Sequence, residues 1–199
     1  MVQIILASAS PSRLRLLESV GITPKVLVGG VNEEASELDS LTPSELVIAL
    51  AILKAHTVKD LAPADSLIIG CDSTFEFEGK SLGKPGSKEN AIARCKQLSG
   101  KSGYLHTGHC VIDLKNGIEL SERSTSKVQF AQMTDAEIID YVDSGEPLNV
   151  AGGFTLDGLS APFITNIEGD PSGIIGLSLP LLRKMVISLG YSWPDLKNK

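Results

Sequence analysis

Residues 67–85, LIIGCDSTFEFEGKSLGKP, hold an aspartate and a lysine in a setting suited to phosphate chemistry. Asp72 follows a short apolar run, Leu67 to Ile69, by way of Gly70 and Cys71. A run that short and continuous reads as a strand covered on both faces, and the ends of such strands are where open α/β sheets present ligand groups. Phe75 and Phe77 then alternate with Glu76 and Glu78 up to Gly79, which predicts a further strand and a tight hairpin whose return ends at Gly83, Lys84 and Pro85. That hairpin would carry Lys84 back towards Asp72. An acid and an amine so placed could serve a metal-bound phosphate, the acid holding the cation and the amine an anionic oxygen.

A second candidate lies at the N-terminus. Val2 to Ala7 reads as a strand, and Ser8, Ala9 and Ser10 turn the chain into Pro11. Serine before proline starts helices: Ser10 can cap free backbone N–H groups while Pro11 takes the first helical position. Leu14, Leu17 and Val20 follow at helical spacing and Gly21 supplies the stop. A serine turn feeding a helix start suits anions, and Arg13 could add a forked donor; a capped helix with a surface arginine is the plainer alternative. Neither Walker A nor GxGxxG occurs.

The elements that must position these groups are legible in outline. Lys25 to Val28 predicts a strand leading into an acidic loop, Asn32, Glu33, Glu34, Glu37 and Asp39, of which one member could be a metal ligand if the loop faces a cleft. Thr42 to Glu45 is a capping box that opens a helix running to about Leu61, with an apolar stripe of Leu46, Leu50 and Leu53. Lys54 falls beside that stripe, at the edge of the core or pointing into a cleft. Ser87 to Leu98 predicts a helix, Tyr104 to Asp113 and Ile118 to Phe130 a long hairpin through Asn116 and Gly117, and Thr134 to Glu137 a second capping box. His106 and His109, three apart on a strand, point to opposite faces, so they and His56 read as structural. Glycines crowd residues 146–176, where the backbone either turns tightly or approaches a ligand closely. Residues 161–167 predict a strand, and Ser178 to Leu189 a last helix.

At 199 residues the chain can bury one substantial core or one domain with two lobes about a cleft. A net charge of -6 without a basic run argues against binding polymeric nucleic acid or an anionic membrane. No apolar stretch is long enough to cross a bilayer and no leader-like segment opens the chain, so a cytoplasmic location is expected. Three cysteines without CxxC spacing, Cys71, Cys95 and Cys110, read as core thiols. Cys71 beside Asp72 could instead suggest a cysteine hydrolase, but no histidine is placed to activate it.

Several blocks together resemble one family. SASPSRLRLLESVGI at 8–22, GVNEE at 30–34, the pair Lys54 and Ala55, GCDSTFEFEGKSLGKP, GEPLNVAGGFTLDGLSAPFITNIEGD at 145–170 and IIGLSLPLL at 174–182 are similar, in order, to the Maf (septum formation) nucleoside triphosphate pyrophosphatases. The resemblance implies a single mixed α/β domain over residues 1–199, with two lobes around a central twisted sheet and a deep nucleotide cleft. It also implies magnesium or manganese dependence and frequent homodimerisation. By resemblance, Ser8, Ser10 and Arg13 match a phosphate-binding turn, Glu33 an acidic loop residue holding metal with Asp72, Lys54 and Lys84 two active-site lysines, and Asp72 the catalytic acid. Where the family usually carries an arginine pair after serine-proline, this chain has Ser12 and Arg13, so a cationic contact is missing or supplied elsewhere, for example by Arg15. Where members acting on dTTP and UTP typically carry glutamine, it has Asp157, an acceptor that cannot donate when ionised, which leaves the base open. The implied activity is hydrolysis of a canonical or modified nucleoside triphosphate to monophosphate and pyrophosphate. The rival expectation is a nucleotide-binding regulator of septum formation without significant catalysis.

Overall fold

The computed structural model describes residues 2–33 and 36–197. In chain order it runs β1 (Gln3–Leu6), α1 (Pro11–Ser19), β2 (Lys25–Val26), α2 (Pro43–Thr57), β3 (Ser66–Phe77), β4 (Lys80–Leu82) and α3 (Lys88–Leu98). There follow β5 (Ser102–Asp113), β6 (Ile118–Phe130), α4 (Asp135–Asp143), β7 (Ile164–Glu168), α5 (Pro171–Ile175) and α6 (Leu179–Ser188). A seven-stranded mixed sheet has the order β2-β1-β3-β5-β6-β7, with β4 added to the end of β3. β1 is parallel to both of its neighbours, and the remaining pairs are antiparallel.

The chain leaves β1 through α1 to reach β2 on one side, then crosses back past β1 through α2 to reach β3 on the other. The carboxyl end of β1 is therefore a topological switch point, the place where open α/β sheets receive ligands. The two helices cover opposite faces: Leu17 packs with Ile4, Leu6 and Ile69, whereas Ala51 and Ala55 pack with Ile5 and Ile68. Farther along the sheet a second apolar lobe gathers Phe75, Phe130 and Phe154, whose rings meet edge to face with centroids 5.0 to 5.8 Å apart.

Three expectations need correction. The predicted strand ending before Asp72 and the one through Phe75 are a single strand, β3, because β5 pairs with it without interruption from Leu67 to Glu76. Asp72 is thus mid-strand. Its exposure to a ligand comes from the other edge, where β1 stops pairing at Ile69 and β4 starts at Phe75, so Gly70 to Thr74 face a notch rather than a strand. The buried side of α2 is Val47, Leu50, Ala51 and Ala55, not the Leu46, Leu50, Leu53 stripe; Leu53 is 40% exposed. Small residues are needed on that side because α2 lies directly on Gly70 and Gly108 of the sheet. Lastly, β7 begins at Ile164, since Pro162 helps turn the preceding residues into a short 3-10 segment and cannot donate to a ladder. Both capping boxes, the Asn116-Gly117 hairpin and the last helix form as the sequence predicts. No described helix is long and apolar enough to cross a membrane.

His106 and His109 do face opposite ways. His109 is fully buried and accepts a hydrogen bond from the Ser178 backbone N–H at 2.8 Å through Nε2, while Nδ1 donates to the Thr107 carbonyl at 3.1 Å. The ring so pins the start of α6 to β5. Burial, with the Arg13 charge nearby, pushes its pKa down to about 4. The folded protein therefore keeps a neutral imidazole where the unfolded chain, titrating near 6.5, takes up a proton. That contribution is whole above pH 6.5 and declines as pH falls towards 4, a loss of roughly 3 kcal/mol. Urea unfolding from pH 7 to 4.5 should show His109→Gln losing less stability than wild type over that window. Equal slopes would exclude His109 as the source.

Candidate active site

Gly70 and Asp72 stand on the same face of β3, two residues apart, under α2. Ala51 and Ala55 are seated against Gly70, which sets the Lys54 stem alongside the strand with its ammonium level with Asp72. Lys54 Nζ lies 2.6 Å from Asp72 Oδ1 and 2.7 Å from Glu33 Oε1, so one cation bridges two carboxylates. The Asp72 and Lys54 side chains are only 13% and 18% exposed, while Glu33 is more open. Burial raises the Asp72 pKa above that of a free aspartate, and the charges of Lys54 and Arg13 act against the rise. Glu34, the next residue of the acidic loop, lies outside the described residues.

On the opposite face of the notch stands the serine turn. Ser10 caps α1, accepting from the Arg13 backbone N–H, and Pro11 occupies the first turn. The Ser8 hydroxyl oxygen accepts from the Ser10 N–H at 3.3 Å and from Arg13 Nη1 at 2.9 Å, leaving its proton free to donate. Arg13 is not a surface arginine. It is buried, and it donates through Nε to the Gly176 carbonyl at 2.8 Å and through Nη2 to Ser73 Oγ at 3.1 Å. Three of its five N–H groups are thus spent within the protein. The Ser73 hydroxyl meets Thr107 Oγ1 at 2.9 Å, and Thr107 donates to the Gly173 carbonyl of α5.

The sequence-predicted residues are brought together unequally. Glu33, Lys54 and Asp72 are in contact, and Ser8, Ser10 and Arg13 form one turn joined to β3 through Ser73, the residue next to Asp72. Lys84 is exposed and does not touch Asp72; it lies two residues beyond Leu82, which pairs with Phe75, so it sits at the notch edge. Its neighbours are fastened to the second lobe, with the Gly83 and Pro85 carbonyls accepting from Arg94 and Asn90. Asp157 lies across from α1, its carboxylate 3.6 Å from Arg15 Nη2. Cys71 is buried with its pKa pushed up to about 12, which removes the thiol as a nucleophile.

Sequence reasoning missed the Ser73 and Thr107 hydroxyls that fasten Arg13, and a polar chain in which His106 Nε2 is 2.8 Å from Glu76 Oε2 and Nδ1 2.9 Å from Thr125 Oγ1. Only the β3/β5/β6 register, which sets Thr74, His106 and Thr125 side by side, discloses it.

The donor set fits a hard divalent cation. Two carboxylates already converge on one positive charge, and magnesium or manganese accepts a few carboxylate oxygens completed by water and phosphate. No cluster of three or more His, Cys, Asp or Glu with metal-binding spacing occurs among the described residues, so the protein would furnish only part of the coordination sphere.

A mixed sheet with a switch-point serine turn on one face and a cation-bridged carboxylate pair on the other defines an α/β protein organised for an anionic ligand. Residues 3–189 match the family model described as Maf-like protein, and the chain belongs to that family. It is 51% identical over 98% of its length to a nucleoside triphosphate pyrophosphatase of Streptomyces coelicolor, covering 94% of that protein. It is 49% identical to one of Thermosynechococcus vestitus over the whole of both chains, and 47% identical to one of Salinispora tropica over 94% and 84%.

Proposed function

We propose that this protein is a metal-dependent nucleoside triphosphate pyrophosphatase, adding water across the anhydride between the α- and β-phosphates to release a monophosphate and pyrophosphate. The observation that carries the reading is the Lys54 ammonium held between Asp72 and Glu33 in a chain nearly half identical, end to end, to proteins of that name. A triphosphate carries about four negative charges, and an attacking oxygen is repelled unless these are neutralised in place. Lys54, Lys84 and the Ser8–Ser10 turn are assigned to the phosphates, with Arg13 holding the turn in shape. Asp72 and Glu33 are the residues that would hold magnesium or manganese, which when bound would neutralise phosphate charge and acidify water. Asp72 is assigned to orient the attacking water and take its proton. Asp157 is assigned to the base end of the substrate. The substrate class supports a cytoplasmic setting, and a homodimer is the assembly the resemblance implies.

Pyrophosphate release from a panel of normal and modified nucleoside triphosphates, with magnesium or manganese, tests the reading. Turnover should appear with at least one nucleotide and vanish on chelation by EDTA, returning when metal is restored. Tight nucleotide binding without pyrophosphate release under any metal would reject the enzyme in favour of the regulator.

A further inference from the structure

The cations closest to Asp72 are already committed. Lys54 is shared between two carboxylates, and Arg13 is buried with three of its five N–H groups donated to protein oxygens, so both are engaged before any triphosphate arrives. Arg15 is different. Its side chain is 63% exposed, and Nη2 is drawn back by Ser12 Oγ at 3.0 Å towards the first turn of α1, the turn that carries Ser10 and Arg13. Its other partner, Asp157, comes from the segment following the glycine-rich block. The Arg15–Asp157 pair therefore joins α1, whose first turn carries Ser10 and Arg13, to residues 154–160.

We infer that Arg15 is a phosphate-binding residue of this protein and that Asp157 is the carboxylate that holds it at the site until a polyphosphate displaces it. An ion pair this exposed and this long contributes little to stability, so it is not explained as a structural fastener. A polyphosphate offers several charged oxygens to the planar guanidinium in place of one carboxylate, and bidentate guanidinium–phosphate pairs are the stronger. Ser12 sets the direction: its hydroxyl accepts from the same Nη2 that faces Asp157 and keeps the guanidinium near the turn when the carboxylate lets go. The exchange frees Asp157 to accept from the remainder of the substrate, so one binding event would fill both ends of the cleft.

This inference rests on the pyrophosphatase reading for its biological meaning, but its test does not. Calorimetric titration with inorganic tripolyphosphate should give about tenfold weaker binding for Arg15→Ala, with Arg15→Lys recovering part of the loss. Asp157→Ala should bind the same probe a fewfold more tightly, because the competing carboxylate is gone. Lys184→Ala, which removes an equally exposed cation of α6 paired with Glu122 of β6, should leave affinity unchanged. In turnover, Arg15→Ala should raise KM about as much as it weakens the probe, with kcat little altered. Tripolyphosphate affinity equal in wild type and Arg15→Ala would overturn the assignment, as would an equal loss in Lys184→Ala. Absence of pyrophosphate release by the wild type would reject the activity while the titration still decides Arg15.

Discussion

Asp72→Asn is expected to lower kcat for pyrophosphate release about a thousandfold while KM moves far less. Asparagine has the same shape, so the notch and the β3 ladder are retained, but it cannot take a proton and is a poor ligand for a hard cation. Loss of a positioned general base alone typically costs 10²- to 10⁴-fold, roughly the range in which this variant should fall. The substitution also turns the 2.6 Å ion pair with Lys54 into a hydrogen bond to a neutral amide oxygen, leaving Glu33 as the carboxylate partner of that ammonium. If the role of Asp72 were only to anchor Lys54, KM would rise and kcat would hold, because Lys54 is assigned to phosphate binding. Steady-state kinetics with saturating metal separates the two, and unchanged turnover would remove Asp72 from the mechanism.

The second large effect is expected from a residue with no side chain. A Cβ at position 70 would collide with the Ala51 carbonyl oxygen and come within 2.9 Å of both the Ala55 Cβ and backbone N. These are helix backbone atoms rather than flexible side-chain ends, so α2 as a whole must move. Overpacking of this kind costs about 3 kcal/mol. For a protein of this size that corresponds to a fall in Tm of roughly 5 to 10 °C. Because α2 carries Lys54, Gly70→Ala should also impair turnover below the melting transition, coupling a packing defect to the site. Differential scanning calorimetry beside the pyrophosphate assay checks both; a variant with wild-type Tm and kcat would show that α2 is free to shift. Gly108→Ala, where the added Cβ meets the Val47 carbonyl, should repeat the stability loss one strand away from Asp72.

These two residues divide what each level of description can disclose. Local chemistry reads directly from sequence: Ser10 before Pro11 caps a helix, Thr42 with Glu45 and Thr134 with Glu137 close capping boxes, and Asn116-Gly117 turns a hairpin. Each of these depends on neighbours within a few positions, whose energetics survive in any context. Asp72 is visible for the same reason, as a carboxylate delivered by an apolar run, and the ordered blocks from Ser8 to Leu182 disclose the family. That Asp72 is mid-strand, however, depends on an uninterrupted ladder with β5 more than thirty residues away, and its access depends on where β1 and β4 stop.

The remaining decisions were equally non-local. Arg13 reads as a phosphate fork or a surface cation, and only the approach of Gly176 and Ser73 shows that it is buried and fastened to both the serine turn and β3. Lys54 could lie at a core edge or in a cleft until the glycines at 70 and 108 draw α2 onto the sheet and aim it at Asp72 and Glu33. The meeting of Arg15 with Asp157 joins residues far apart along the chain. Sequence alone determined which groups carry charge and which turns begin helices, because those follow from covalent chemistry and short-range hydrogen bonding. Tertiary structure alone decided which charges are already spent on one another and which remain for a ligand, because that depends on distance and burial between segments that spacing along the chain does not relate.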